Sequence, residues 1–450
     1  MLRPSLLLLA CAVPAAADDW PQWLGPQRDG VYREAGVDAS FADAPPQELW
    51  RVNVGGGYAG PAVAGGRVFV PDFVLDDPAG FPENQFSNPA LAGRERVLCL
   101  DAETGEKIWE YAPRVTYKIQ YPAGPRVTPT VELENGGPGG RVYFLGAMGD
   151  LVCLDAATGK KVWGYNVTEK YGSPVPVWGF SSHPLVDGDD LYTIAGPADG
   201  PLLCVDKNTG ALKWKAGESA DEPGYAPPVI YNLGGARVLV AWAAEAVYGV
   251  NPSNGQVYWS VPLAPSYNMS VAHPVLAEAG GEQLLYCMSH DPQAVAMLKL
   301  DGTNPPEVLW RGDTRTGMNG VMDTPVLRPD LGDDGLAFSP DRDGVYVAAS
   351  LKTGANVAKD REFFARPTTW GTVFTTPVGE SGRHFFATED GSLKTGTLTE
   401  NGVEIDGSAQ LLEPTQIAGG RKVVWVHPAY AMNSVFWRND RELVRADLSE

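Results

Sequence analysis

The sequence predicts an all-β protein, an eight-bladed β-propeller built of four-stranded antiparallel blades. Two observations favour this fold class: a turn motif that returns every roughly 45–55 residues, and a proline that opens an apolar strand eight times. Units of this size cannot bury a core alone and must stack on their neighbours. The 450 residues are 44% hydrophobic, with 52 Gly and 38 Pro, as expected of many short strands joined by turns.

The turn motif is predicted to join the two outer strands of a blade. An acidic or amide residue is followed four positions later by Gly and eight positions later by Trp. The first side chain can accept hydrogen bonds from the turn backbone, the Gly suits a positive φ angle, and the Trp offers a large surface to a neighbouring blade. The copies are Asp101, Gly105, Trp109; Asp155, Gly159, Trp163; Asp206, Gly210, Trp214; and, more weakly, Asn251, Gly255, Trp259.

The second marker is a proline, which suits the first residue of a strand because no ladder hydrogen bond is lost there. The prolines are Pro61, Pro129, Pro184, Pro228, Pro274, Pro325, Pro377 and Pro428. They place blade starts near residues 57, 125, 180, 224, 270, 321, 372 and 425 of a single domain over 18–450. The last unit lacks an outer strand, and residues 48–53 form a strand with no blade before it. We predict that this strand completes the eighth blade and closes the ring.

The first 17 residues have the pattern of a signal peptide, with Arg3, an apolar stretch and an A-x-A site that predicts cleavage after Ala17. Cys11 offers a lipoprotein site as the weaker alternative. No later stretch is long and apolar enough for a membrane helix. We therefore expect a periplasmic or secreted monomer, and the net charge of −20 argues against nucleic-acid binding.

Four cysteines follow the leader: Cys99, Cys153, Cys204 and Cys287. The first three stand two residues before the acid of the turn motif, so they occupy equivalent positions in successive blades. Such positions are expected to lie beyond the roughly 7 Å Cα separation that a disulfide tolerates. We predict four free thiols and no metal site.

The candidate binding residues at the mouth of the central channel are Tyr58, Trp178, His183, His273, Trp370 and His427. The three histidines each precede a blade-opening proline, and the aromatic residues come shortly before other blade starts. The aromatic rings could stack on a planar ligand or a partner side chain, or fill the channel as plugs. The histidines could serve as metal ligands or proton carriers, or simply form a polar lining.

Several site classes are excluded. The histidines belong to blades that are not adjacent, so we expect them to share no metal ion. Residues 55–60, GGGYAG, formally match G-x-G-x-x-G, but strands follow instead of the helix that a dinucleotide site requires. We identify no catalytic residue, since no nucleophile-elbow, zinc-protease or C-x-x-C motif occurs.

Blades 1 to 3 resemble the quinoprotein (PQQ-like) propeller repeat, in which a small residue, Asp, Thr-Gly and a docking Trp recur. The opening residues 20–26, WPQWLGP, and the ending 438–443, RNDREL, are similar to those of exported bacterial propellers of this type. The resemblance covers almost the whole chain after the leader. It implies one of two function classes: a PQQ-dependent alcohol dehydrogenase, or a non-catalytic scaffold related to the outer-membrane assembly propellers.

Two departures from the dehydrogenases favour the scaffold. Those enzymes carry neighbouring cysteines in a disulfide beside the quinone, and here no two cysteines are close in sequence. They are also longer, and their calcium ligands match no positions of this chain. We therefore expect a non-enzymatic module without a cofactor that binds a protein or cell-envelope component. The alternative is a PQQ-dependent oxidoreductase with calcium at the channel mouth; polysaccharide binding, a third class, has no positive motif.

Overall fold

A computed structural model describes residues 19–42, 44–134, 136–313, 315–361, 363–364 and 370–450. The predicted leader, including Cys11, lies outside the described residues. The fold class is confirmed, because eight antiparallel sheets follow one another along the chain, each built of four consecutive or ring-closing strands. The first strand, β1 (Glu48–Asn53), precedes all the blades.

Blades 1 to 4 use the next seventeen strands. Blade 1 contains β2 (Ala62–Ala64), β3 (Arg67–Leu75), β4 (Leu91–Asp101) and β5 (Lys107–Tyr111), with β6 (Arg114–Tyr117) added beside β4. Blade 2 contains β7 (Thr130–Leu133), β8 (Gly140–Leu145), β9 (Asp150–Asp155) and β10 (Lys161–Asn166), followed by the short helix α1 (Val167–Tyr171). Blade 3 contains β11 (Leu185–Asp187), β12 (Asp190–Ile194), β13 (Leu202–Asp206) and β14 (Leu212–Ala216). Blade 4 contains β15 (Val229–Leu233), β16 (Ala236–Trp242), β17 (Ala246–Val250) and β18 (Val257–Pro262).

The remaining strands form blades 5 to 8. Blade 5 contains β19 (Val275–Ala279), β20 (Glu282–Cys287), β21 (Ala296–Leu300) and β22 (Glu307–Arg311). Blade 6 contains β23 (Val326–Arg328), β24 (Leu336–Asp341), β25 (Val345–Ser350) and β26 (Asn356–Asp360). Blade 7 contains β27 (Val373–Val378), β28 (Arg383–Thr388), β29 (Ser392–Thr399) and β30 (Gly402–Gln410), then the hairpin β31 (Gln416–Ala418) and β32 (Arg421–Val423). Blade 8 contains β33 (Ala429–Ala431), β34 (Ser434–Arg438) and β35 (Glu442–Asp447).

The ring is closed by the N-terminal strand, as predicted. The sheet of blade 8 runs β33-β34-β35-β1, so its outermost strand comes from the start of the chain. Strands β1 and β35 are antiparallel, with Arg51 opposite Val444 and Val52 opposite Leu443. This pairing covers the edge of β35, which would otherwise be open to pairing with another chain.

The turn motif fastens several blades to their neighbours. The Trp109 ring of blade 1 lies over Gly159 of blade 2, where a Cβ atom would stand 2.5 Å from the ring and where φ is +68°. The Trp109 indole N–H also donates to the Ala156 carbonyl at 3.0 Å. Equivalent ring-on-glycine contacts join Trp50 to Gly105, Trp163 to Gly210 and Trp214 to Gly255. The fixed spacing of Gly and Trp therefore encodes contacts between neighbouring blades.

The acid of the motif organises the turn itself. Asp101 Oδ1 accepts hydrogen bonds from the backbone N–H of Glu103 and Thr104, at 3.0 and 2.9 Å. The matching oxygen of Asp206 accepts from the backbone N–H of Asn208 and Thr209 at the same two distances. These are Asx turns, in which a short acidic side chain holds the backbone N–H groups of the residues that follow it.

Two details differ from the sequence interpretation. Pro377 lies inside β27, opposite His384, and does not open it, so the proline marker marks strand starts in seven blades rather than eight. The sequence also shows a long insertion in blade 1, from Pro71 to Arg96, and both of its ends are strand: β3 and β4 pair from Arg67 opposite Asp101 to Leu75 opposite Gly93. This pairing extends the sheet beyond those of the other blades, and residues 76–90 connect the two strands.

The four described cysteines are free and buried, as predicted. Burial raises the pKa of the Cys99 thiol to about 12 and that of Cys153 to about 12, so neither is a thiolate near neutral pH. Within the described residues there is no helix long and apolar enough to cross a bilayer.

Candidate functional site

The central channel is filled by a loop from the N-terminal part of the chain, residues 19–33, here called the strap. Its first residues pair with an inner strand, since Trp20 and Val63 exchange backbone hydrogen bonds of 2.8 and 2.9 Å. The strap then turns inside the channel and returns to pair Tyr32 with Val378, on blade 7. It thus begins beside blade 1 and ends beside blade 7, the two neighbours of blade 8.

Trp23, at the tip of the strap, brings the three candidate histidines together. Its ring is 4% exposed, stacks on His183 at 4.9 Å, and meets His273 and His427 edge-on at 4.9 and 6.0 Å. The histidines therefore line the buried interior of the channel around one indole and do not face an accessible mouth. Their distance in sequence from Trp23, 160 residues or more, is why spacing alone did not reveal this packing.

Burial and the nearby positive charge of Arg28 keep the imidazole rings around Trp23 neutral. Burial lowers the pKa of His273 to about 3 and that of His427 to about 3, and the nearby Arg28 guanidinium lowers the His273 pKa further. The pKa of His183 is also far below its usual range, first because of burial and then because of Arg28. Its Nδ1 accepts a hydrogen bond from the Thr128 backbone N–H at 2.9 Å. Neutral, buried rings do not carry protons between solvent and a substrate near neutral pH.

One face of the propeller carries a group of aromatic side chains, here called the aromatic rim. Because strands alternate in direction, the connections between blades and the loops between each blade's two middle strands share this face. The rim consists of Phe86, Tyr121, Trp178, Tyr267, Trp370 and Trp425. Phe86, Tyr267 and Trp370 are 57%, 74% and 37% exposed.

Contacts between loops hold the rim together. The Tyr121 ring lies 5.2 Å from Phe86 and 6.1 Å from Trp425. The loop of Tyr121 is joined to that of Trp178 by a hydrogen bond from the Gln120 N–H to the Val177 carbonyl at 2.9 Å, and Trp178 meets Tyr267 edge-on at 6.4 Å. Aromatic pairs at these separations attract one another beyond the area that they bury.

Arg421 joins two rim residues. Its guanidinium lies 5.8 Å from the Trp425 ring and donates to the Trp370 backbone carbonyl at 3.1 Å. Both carboxylate oxygens of Glu389 accept from Arg421 at 3.0 Å, and one of them accepts from the Trp425 indole N–H at 3.2 Å. A bidentate ion pair of this kind fixes the orientation of both side chains.

Three rim residues have strained backbones. Tyr121, Tyr267 and Trp370 have φ angles of 51°, 60° and 63°, in the left-handed region that bulky residues seldom adopt. Strain of this kind costs about 1–3 kcal/mol per residue and is concentrated at functional sites. The rim is therefore a surface where aromatic side chains are held in place against a conformational preference.

The structure divides the six candidate residues. Trp178 and Trp370 belong to the rim. Tyr58 lies nearby but is covered by Arg126, whose Cζ stands 5.0 Å from its ring. Tyr267 and Trp425 were not among the candidates, although each lies, like Trp178 and Trp370, in a connection between an outer strand and the next inner strand. That shared position was the signal in the sequence that would have identified them.

A buried carboxyl lies close to the rim, between blades 1 and 2. Glu95 accepts hydrogen bonds from the Tyr117 hydroxyl and from the Ala147 backbone N–H, the latter at 2.9 Å. Burial raises the pKa of Glu95 to about 7, and the two hydrogen bonds oppose that rise. A carboxyl with this pKa changes its charge in the physiological range.

Replacing Glu95 with Gln will flatten the dependence of stability on pH. A raised carboxyl pKa stabilises the fold below the unfolded value, near 4.5, and this contribution is lost as the pH rises through about 7. At 1.4 kcal/mol per pKa unit, the free energy of unfolding of the wild-type protein should fall by about 3 kcal/mol between pH 4.5 and 8 because of this group. The variant should not show this fall. Urea unfolding at pH 5 and 8 measures this difference. Glu106→Gln, on an exposed turn of the same blade, is the control; equal pH profiles for wild type and Glu95→Gln would contradict the assignment.

The described residues hold no metal-binding cluster of the His, Cys, Asp and Glu type, since no group of three or more of these side chains is placed to hold a metal ion. The four described cysteines lie on strands of blades 1, 2, 3 and 5, so no two can form the disulfide of neighbouring cysteines found in quinoprotein dehydrogenases. We derive no step of a reaction through PQQ with calcium.

The chain is similar to quinone-dependent alcohol dehydrogenases over part of its length. It is 24% identical over 246 residues to quinohemoprotein alcohol dehydrogenase ADH IIB of Pseudomonas putida, covering 53% of this chain and 30% of that protein. It is 33% identical over 191 residues to the dehydrogenase subunit of alcohol dehydrogenase (quinone) of Acetobacter aceti, covering 39% and 24%. The matches thus span less than a third of these relatives.

Solved structures share the fold. BamB from Moraxella catarrhalis matches with a TM-score of 0.55 at 15% identity, over 90% of this chain and 98% of that chain. Quinohemoprotein alcohol dehydrogenase from Comamonas testosteroni matches with a TM-score of 0.60 at 15% identity, over 98% and 82%. A family model described as outer membrane protein assembly factor BamB matches residues 36–135 and 93–360, more than half of the chain. With its repeated turn motif and eight blades, the chain belongs to this family of PQQ-like repeat propellers.

Proposed function

We propose that this chain is a non-enzymatic exported propeller that binds a protein or another cell-envelope component through the aromatic rim. The observation that carries the proposal is the rim itself: three rings exposed by 37–74%, held by contacts between loops and by strained backbones. Aromatic residues are enriched at protein interfaces, where a few of them supply most of the binding energy. Loops on a rigid scaffold are also the usual carriers of function.

The filled channel supports binding over catalysis. Trp23 and the strap occupy the axis of the ring, so the accessible part of this face is the rim. The family model bears the name of an outer-membrane assembly factor, which favours a protein partner in the cell envelope. The leader predicted for residues 1–17 supports the same compartment for this chain.

A PQQ-dependent oxidoreductase is the second candidate. The similarity to quinone-dependent alcohol dehydrogenases, over up to 53% of this chain, favours it. The absence of a fitting metal-ligand group among the described residues weighs against it. Titrating the purified protein with PQQ, with and without calcium, and then measuring dye-linked alcohol oxidation separates the two functions, because turnover supports the oxidoreductase and replaces the binding proposal.

The binding proposal is tested by site-specific photo-crosslinking in living cells. A photoreactive amino acid at position 267 or 370 of the rim should capture one discrete partner, whereas the same residue at Val357, exposed by 52% on an outer strand, should not. Purified partner and propeller should then bind with a measurable Kd. Tyr267→Asn and Trp370→Asn remove the rings while leaving a residue that tolerates a positive φ angle, and each should weaken binding at least about tenfold. Unchanged Kd values for both variants would contradict the rim as the binding surface.

A further inference from the structure

Three buried nitrogen atoms inside the channel have no hydrogen-bond partner in the described part of the chain. They are Trp23 Nε1, Arg28 Nε and His273 Nδ1. Their side chains are only 4%, 4% and 2% exposed. A buried N–H without a partner costs about 1–3 kcal/mol, so three at one place call for an acceptor.

The three side chains lie close together inside the channel. The Trp23 ring is 4.9 Å from the His273 ring and 5.8 Å from Arg28 Cζ. Arg28 is anchored by its terminal nitrogens, which donate to the carbonyls of Pro184 and His183 at 2.8 and 3.0 Å. Nη1 also donates to the Gln22 side-chain carbonyl at 3.1 Å. These contacts fix the guanidinium beside the indole and leave Nε unused.

The charge of Arg28 has no counter-charge beside it. Its three hydrogen-bond acceptors are neutral, and no carboxylate of the described residues lies within the 4.0 Å of an ion pair. The three neighbouring imidazoles are neutral. Buried charges in proteins are normally paired, because an isolated ion loses its hydration without compensation. This part of the channel therefore combines one positive charge with N–H donors. No negatively charged side chain of the described residues forms an ion pair with Arg28 that would compete with a bound anion.

We infer that the channel binds a small inorganic anion of the halide type, held by Arg28, Trp23 and His273. An arginine and an indole can only donate hydrogen bonds, and His273 donates from Nδ1 when the proton of its neutral ring is there. A halide has no preferred hydrogen-bonding direction and can accept from several such donors. The site requires the strap, since two of its three groups belong to it, and the anion fastens the strap to blade 5 through His273. This inference does not depend on the proposed function of the rim.

The test compares chloride with gluconate at equal ionic strength, using the complete mature protein. Gluconate is a much larger anion than chloride and we expect it not to enter the buried channel interior, so the melting temperature should be higher by about 2 °C or more in 200 mM chloride. Crystals soaked in bromide should show an anomalous peak beside Trp23, Arg28 and His273. Equal melting temperatures in the two salts, or bromide peaks confined to the protein surface, would overturn the inference.

Two variants assign the effect to this site. Arg28→Met removes the charge and should abolish the difference between chloride and gluconate. His384→Gln changes a buried histidine of blade 7 outside the channel and should leave the difference unchanged. If Arg28→Met does not fold, His273→Phe takes its place, because it removes one donor and keeps a ring against Trp23; a chloride effect of wild-type size in that variant would count against the site.

Discussion

A chain that lacks residues 18–53 will lose its cooperative thermal transition. The deletion removes β1, the outermost strand of blade 8, and leaves β35 with an unpaired edge. It also removes Trp50, whose indole N–H donates to the Ala102 carbonyl at 2.9 Å and whose ring covers Gly105. The strap is lost as well, with the buried rings of Trp20 and Tyr32. Blades 1 and 8 then keep a few contacts, among them those from the side chain of Arg438 to the Pro71 carbonyl and from that of Arg445 to the Ala102 carbonyl and Glu103. We expect these contacts to be too few to hold the ring closed.

Differential scanning calorimetry of the purified mature and truncated proteins measures this effect. A shorter deletion, residues 18–33, removes the strap but keeps β1, so it should melt cooperatively at a lower temperature. Leu49→Ala changes a side chain of β1 that is 43% exposed and should melt like the mature protein. If the chain without residues 18–53 melts at the same temperature and with the same enthalpy as the mature protein, then β1 does not close the ring.

The fold could be predicted from the sequence because its determinants are local and repeated. The Asp of each turn bonds to residues two and three positions later, and the Trp docks on a Gly one blade further on, so a fixed spacing records both. The closing strand could also be predicted, since residues 48–53 form an apolar strand that no neighbouring unit uses. Because these spacings repeat, they can be recognised in a single sequence.

The interior of the channel could not be predicted in this way. Trp23 and Arg28 lie in a segment that occurs once, and their partners are contributed by blades far away in sequence, such as His183 and His427. The rim poses the same difficulty, because its six rings come from six connections of different length. Trp178 and Trp370 were identified from their places before blade starts, while Tyr267, which occupies a comparable connection, was not among the candidates.

Replacing Trp109 with Ala will destabilise the protein by about 3 kcal/mol or more. The side chain is 8% exposed, and removing a buried Trp leaves a cavity that its neighbours fill only in part. Here the cavity would lie between blades 1 and 2, over Gly159, which has no side chain to fill it. Urea denaturation followed by circular dichroism measures the loss as a lower midpoint of unfolding.

A pair of Phe variants separates the packing of the ring from its hydrogen bond. Trp109→Phe keeps an aromatic ring but loses the N–H that donates to the Ala156 carbonyl at 3.0 Å. Trp214 covers Gly255 in the same manner, yet its indole N–H has no partner among the described residues. Since a net hydrogen bond contributes about 1 kcal/mol, Trp109→Phe should cost about that much more than Trp214→Phe. Equal losses would mean that the indole hydrogen bond does not stabilise the contact, and that the Trp of the repeat is kept for the shape and area of its ring alone.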